Sequence, residues 1–160
     1  SAGIQRALVC LVVRAVAVKA DVVMEDFRET GRRAILNFGH TLGHALEAEN
    51  EFGVLRHGEA VSLGMEFAAQ LSQEVVGLPS SASALLRTVL DELALPTDWA
   101  PRINEDVLAH LDYDKKSRGA SIDFIMLEDL GRPVVMPIPL DELHAAANTL
   151  AARTVGVNPI

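Results

Sequence analysis

The 160-residue chain carries 22 acidic and 14 basic side chains, for a net charge of −8. That sign argues against nonspecific binding to nucleic acid or an anionic membrane, both of which need a positive field, and leaves a small molecule as the expected partner. The length suits one domain with a proper core and leaves room for a second small lobe, and the single cysteine, Cys10, has no internal disulfide partner; set in an apolar run, it reads as a buried free thiol in a reducing, cytoplasmic compartment.

In chain order, residues 3–24 are nearly all Ala, Val and Leu, interrupted by Arg6, Arg14, Lys19 and Asp21. The run from Ala7 to Val13 faintly imitates a signal peptide, but Arg14 ends it far short of the roughly 20 apolar residues that span a bilayer. The whole stretch is too long for a strand and lacks turn residues, so a buried helix is expected. Lys19, near its end, is either a helix-terminal cation or a site residue, and spacing alone favours the first. Residues 25–33 are charged and end in Thr30-Gly31-Arg32-Arg33, a linker that brings two cations to the next element.

That element is Asn37-Phe38-Gly39-His40-Thr41-Leu42-Gly43-His44-Ala45-Leu46-Glu47. Read as a helix, it places Asn37, His40, His44 and Glu47 on one stripe and Phe38, Leu42, Ala45 and Leu46 on an adjoining apolar face. Gly39 and Gly43 each destabilise a helix interior by roughly 1 kcal/mol relative to Ala, which points to close approach of another backbone or a ligand. Histidines four residues apart can share a metal, but no glutamate follows His40, so the His-Glu-x-x-His protease pattern is not met. A lone helix histidine is ordinarily satisfied by hydrogen bonds. Three within eighteen residues (His40, His44 and His57) instead suggest a site that holds a metal and moves a proton.

A second helix is expected from His57 through Leu71, with Glu59 in its first turn and His57 facing His40 across a hairpin whose turn holds Asn50 and Gly53. Gly77-Leu78-Pro79 breaks the chain. Ser81 or Ser83 is then expected to cap a helix running to about Leu95, and Asn104 to cap a short one from Glu105 to Leu111. Residues 112–119 read as a polar loop, and 121–127 and 133–138 as the two strands of a hairpin. Asp141 is expected to cap a last helix through Arg153, with a fraying tail from Gly156. The class is therefore mainly α with one small β-hairpin, and no glycine-rich dinucleotide fingerprint follows a strand.

Taken together, Arg33-Ala34-Ile35-Leu36-Asn37-Phe38-Gly39-His40-Thr41-Leu42-Gly43-His44-Ala45, Leu55-Arg56-His57-Gly58-Glu59-Ala60-Val61 and Asp114-Lys115-Lys116 resemble the 3-dehydroquinate synthase family. The likeness runs from the Lys19-Ala20 helix end to Leu127. It implies that residues 1–160 are a single metal- and substrate-binding helical domain, without the family's N-terminal NAD-binding domain. The reaction it implies converts 3-deoxy-D-arabino-heptulosonate 7-phosphate to 3-dehydroquinate and phosphate, in the shikimate pathway, with NAD and a divalent zinc or cobalt ion.

By resemblance, His40 and His57 match the metal-ligating histidines, and His44 matches an active-site histidine that binds substrate and helps proton transfer. Lys19, Arg33 and Asn37 match substrate-binding positions, as does the Lys115-Lys116 pair, either member of which can face inward. These cations stand out in an acidic chain as an anion funnel. The family's third metal ligand, a glutamate in a Gly-x-x-Glu segment, has no counterpart in residues 1–5, so two histidines alone are expected to bind metal weakly, and with no nucleotide fold in the chain turnover is expected to need another chain or an N-terminal half. Family members generally form homodimers. Competing readings are another sugar phosphate cyclase, a metal-dependent polyol dehydrogenase, which would not need the lysine motif, and a noncatalytic helical association module.

Overall fold

The computed structural model describes residues 2–28, 31–49, 55–111 and 121–156. Among them lie α1 (Ala2–Glu25), α2 (His40–Glu49), α3 (His57–Val75), α4 (Ser80–Glu92), α5 (Glu105–Leu111), the strands β1 (Ser121–Asp129) and β2 (Arg132–Pro139), and α6 (Leu140–Gly156). Two short 3-10 segments, Arg32–Asn37 and Ala100–Arg102, complete the order. The chain divides into two compact units, Ser1–Leu36 and Asn37–Ile160.

In the first unit, α1 is helical as its lack of turn residues predicts, but it is not buried. Leu8, Val9, Leu11, Val12, Val13 and Val16 are each more than half exposed, Cys10 is exposed, and Val22 is the buried exception. The physical reason is that Ala, Val and Leu populate its whole circumference. A helix apolar on every side is covered only when surrounded, whereas this unit consists of the helix and the short segment after it. Residues 31–33 are tied back to the end of α1 rather than forming a plain linker. The carboxylate of Asp26 accepts hydrogen bonds from the backbone N–H groups of Gly31 and Arg33 at 2.9 and 3.0 Å, and Arg32 pairs with Glu25.

The second unit is built round the α2/α3 pair. Leu42, Ala45 and Leu46 of α2 meet Leu63, Phe67, Ala68 and Leu71 of α3 in one core, which also takes in Trp99, Val107, Leu111, Phe124, Met126, Leu143, Ala147 and Leu150. Phe67 is its hub, with ring centroids 4.9 Å from Trp99 and 5.9 Å from Phe124, both edge-on. The hairpin pairs Ser121 with Pro139 and Phe124 with Met136, and turns at Gly131 with φ +78°. Phe124 through Leu127 are all buried, so β1 is covered on both faces rather than alternating. Ser72 locks it to α3: its hydroxyl donates to the Ala68 carbonyl and accepts from the Leu127 N–H.

Boundaries differ from expectation at several places, among them the end of α3, which runs past Leu71 to Val75. Pro79, with its preset φ, opens α4 through its carbonyl, which accepts from the N–H groups of Ala82 and Ser83; Ser81 and Ser83 thus lie inside the helix and cap nothing. The same helix stops at Glu92, before Leu95, because the chain turns left-handed at Ala94 (φ 54°). Leu140 opens α6, which leaves Asp141 in the first turn with Glu142, where acid suits the dipole, and α6 runs on through Gly156. The hairpin strands run to Asp129 and Pro139, slightly past the expected ends. Asn104 caps α5 as expected, its side-chain oxygen accepting from the Val107 N–H at 2.8 Å. The Asn50 and Gly53 turn, the 112–119 loop and the tail after Gly156 lie outside the described residues.

Candidate metal and substrate site

The α2/α3 pair owes its close approach to glycines. Gly39 sits just before α2 at φ +79°, not inside the helix, and a Cβ there would meet the Met65 backbone nitrogen at 2.6 Å. A Cβ on Gly64 of α3 would overlap the Gly39 carbonyl, and one on Gly43 would lie 3.2 Å from the Val61 Cα. The backbones therefore touch directly, as the glycine placement suggests. Because α2 starts at His40, Asn37 is not on the histidine stripe; it ends the 3-10 segment, exposed. The left-handed step at Gly39 separates the two, since an L side chain there would be strained.

This contact brings together the first residue of α2 and the first residue of α3. The His40 and His44 rings are 5.4 Å apart, His40 and His57 5.4 Å, and His44 and His57 5.7 Å. His40 is half-buried, while His44 and His57 open to solvent. The Nδ1 of His40 lies 3.2 Å from the Phe38 carbonyl, which can only accept, so Nδ1 carries the proton and Nε2 is left with its lone pair. Burial holds the His40 pKa below the ordinary histidine value, partly opposed by that hydrogen bond and reinforced by the other two histidines.

Glu47 is the acid of the cluster. One of its oxygens, Oε2, lies 2.9 Å from His57 Nδ1 and 3.3 Å from His44 Nδ1. The hydrogen bond with His57 is the main cause that lowers the Glu47 pKa and keeps the carboxylate ionised. His44, Glu47 and His57 also offer three donor atoms within 4.8 Å of one another. Imidazole nitrogens beside a carboxylate are the donor set that zinc or cobalt takes, so the residues fit a divalent metal of that kind. Farther along α2, Glu49 faces His110 of α5 at 3.8 Å, a pairing with no signal in sequence spacing.

Of the other expected site residues, Lys19 is exposed on α1 and Arg33 is half-buried in the 3-10 segment, both in the first unit. Lys115 and Lys116 lie outside the described residues. Sequence spacing put Glu47 on the stripe without a role. The Phe38 carbonyl has no sequence signal at all, because a backbone acceptor is available at every residue.

The family model described as 3-dehydroquinate synthase C-terminal matches residues 2–117. Among curated proteins, the 3-dehydroquinate synthase of an Arthrobacter species is 46% identical over 137 residues, 86% of this chain and 38% of that protein. The 3-dehydroquinate synthase of Rhodospirillum rubrum is 47% identical over 141 residues, 84% of this chain and 37% of that protein. The chain thus spans little more than a third of the length of these relatives. Among solved structures, a 2-deoxy-scyllo-inosose synthase complexed with carbaglucose-6-phosphate, NAD+ and Co2+ superposes with a TM-score of 0.70 at 22% identity, over 84% of this chain and 40% of that one. A 2-epi-5-epi-valiolone synthase from Streptomyces hygroscopicus with NAD+ and Zn2+ bound gives 0.70 at 23% identity, over 91% of this chain and 40% of that one. Those two likenesses are of fold.

Proposed function

This chain belongs to the 3-dehydroquinate synthase C-terminal family, and on that footing we propose that it is the metal- and substrate-binding part of a 3-dehydroquinate synthase, a lyase acting on 3-deoxy-D-arabino-heptulosonate 7-phosphate in the shikimate pathway. The observation that carries the reading is the three-histidine cluster, with its rings 5.4 to 5.7 Å apart and the Nδ1 atoms of His40 and His57 each held by an acceptor. His40 and His57 would hold the metal. When bound, that ion supplies Lewis-acid polarisation of substrate oxygens.

The remaining roles belong to side chains of this chain. His44, the most exposed of the three, offers Nε2 to a substrate hydroxyl, while Glu47 steadies its Nδ1. Lys19, Arg33, Asn37 and the Lys115-Lys116 pair bind the substrate carboxylate and phosphate, for which fixed cations and amide donors are the matching chemistry. The depressed His40 pKa keeps that ring neutral near pH 7, the state a ligand requires. The hydride step needs NAD, which we assign to an N-terminal domain outside these 160 residues. We assign the intact enzyme to the cytoplasm as a homodimer; among the described residues, no helix is long and apolar enough to cross a membrane.

The test is zinc titration by calorimetry on this chain, with and without the sugar phosphate, for wild type, His40→Ala and His57→Ala. Micromolar uptake that substrate strengthens and either variant abolishes supports the reading. Activity restored by adding the NAD-binding domain in trans completes it, and zinc uptake indifferent to both substitutions overturns it.

A further inference from the structure

The reach of Glu47 extends beyond His44, because its Oε2 is within hydrogen-bond distance of two of the three rings. An ionised carboxylate can only accept, so each ring nitrogen it meets must carry a proton. For His57, a proton on Nδ1 leaves the lone pair on Nε2. The Phe38 carbonyl has the same effect on His40. The rings arrive from different helices, but both acceptors impose one tautomer.

We propose that Glu47 is a positioning residue that fixes His57, and with it His44, in the Nδ1–H tautomer, so that Nε2 is the open donor before any ligand arrives. Three observations carry this. The 2.9 Å contact is the shortest polar contact in the cluster. Glu47 and His57 are ten residues apart on different helices, so the contact is tertiary rather than a by-product of helical spacing. Glu47 also sits one turn beyond His44, within reach of both rings, and its side chain is 29% exposed against 64% for His44 and 57% for His57. The inner, less solvated acceptor therefore sets the outer rings. The proposal deepens the metal-site reading and rests on it only where metal affinity is concerned, because the tautomer is a property of the metal-free chain.

The experiment records imidazole 15N shifts of the metal-free chain at pH 8 for wild type, Glu47→Gln and Glu47→Ala. It is followed by zinc titration of the same three proteins. In wild type, His57 is expected with Nδ1 protonated. Glu47→Ala is expected to shift His57 toward the Nε2–H form common in free imidazole side chains and to weaken zinc binding by about 10- to 100-fold. Glu47→Gln, which keeps an acceptor oxygen at the same reach, is expected to restore the wild-type tautomer and most of the affinity.

A wild-type His57 with Nε2 protonated, or an unchanged tautomer in Glu47→Ala, overturns the proposal. So does loss of zinc in Glu47→Gln with the tautomer retained, which would make the carboxylate itself a ligand. Absence of zinc uptake in wild type would instead count against the metal-site reading, while the 15N shifts still decide the role of Glu47.

Discussion

At the scale of single residues, the pKa values of His40 and Glu47 are both lowered, and the two shifts act on stability in different pH windows. The His40 pKa is lowered by burial from 6.5, so the folded chain resists protonating it. The unfolded chain binds that proton first, and stability is full above about pH 6.5 and falls as pH drops from there through the lower folded value. The Glu47 pKa is lowered from 4.5 by its hydrogen bond with His57, so its contribution is present above that value and is lost as pH falls further. Urea midpoints of the metal-free chain between pH 8 and 4 should therefore decline in two stages. His40→Gln should remove the first stage and leave the second, and a single undivided decline in both proteins would refute the assignment.

At the scale of elements, the backbone contact between α2 and α3 makes the two glycines unequal. A Cβ on Gly64 overlaps the Gly39 carbonyl, which cannot yield without moving the turn before α2. Gly64→Ala should destabilise the chain by about 3 kcal/mol, the upper end for an overpacked core. At Gly43 the neighbour need give only a few tenths of an ångström, and alanine regains roughly 1 kcal/mol of helix propensity, so Gly43→Ala should fall within about 1 kcal/mol of wild type in urea unfolding.

The join between α3 and α4 combines an apolar cluster that includes Ala69 and Ala82 with an ion pair. Glu66, buried, takes Arg87 at 3.0 Å and Gln70 at 3.1 Å on the same oxygen. Arg87→Met should cost about 2 to 3 kcal/mol by leaving a buried carboxylate short of a partner, and adding Glu66→Gln should recover much of that loss. These elements were legible in the sequence wherever a periodic apolar face met a cap or a break, as at His57, Asn104 and Gly131. They were less so at Ser81, where Pro79 opens the helix instead, and at Asp141, which falls in the first turn after Leu140. In the site, the histidines and the need for close backbone approach can be read from residue type and spacing. The anchoring by Phe38 and Glu47 cannot, because it depends on where a left-handed turn and a second helix bring an acceptor.

For the whole molecule, the decisive contrast is between a second unit with a continuous core and a first unit whose helix bears Leu8, Val12 and Val16 on its surface, each more than half exposed. Apolar stretches of that kind associate. Light scattering should find concentration-dependent association of this chain. The triple change Leu8→Gln, Val12→Gln and Val16→Gln should suppress it without moving the urea midpoint of the second unit; association that persists in the triple variant would place the adhesive surface elsewhere. The core of that unit also has an order in time. It joins Leu42 to Ala151, so it closes only when the last helix has been made, whereas the histidine-bearing helices are near neighbours in sequence and can meet much earlier. During synthesis the three histidines can therefore come together before the core behind them is closed. A chain terminated just before Leu140 would carry every histidine of the cluster and lack Leu143, Ala147 and Leu150, a part of the core behind them.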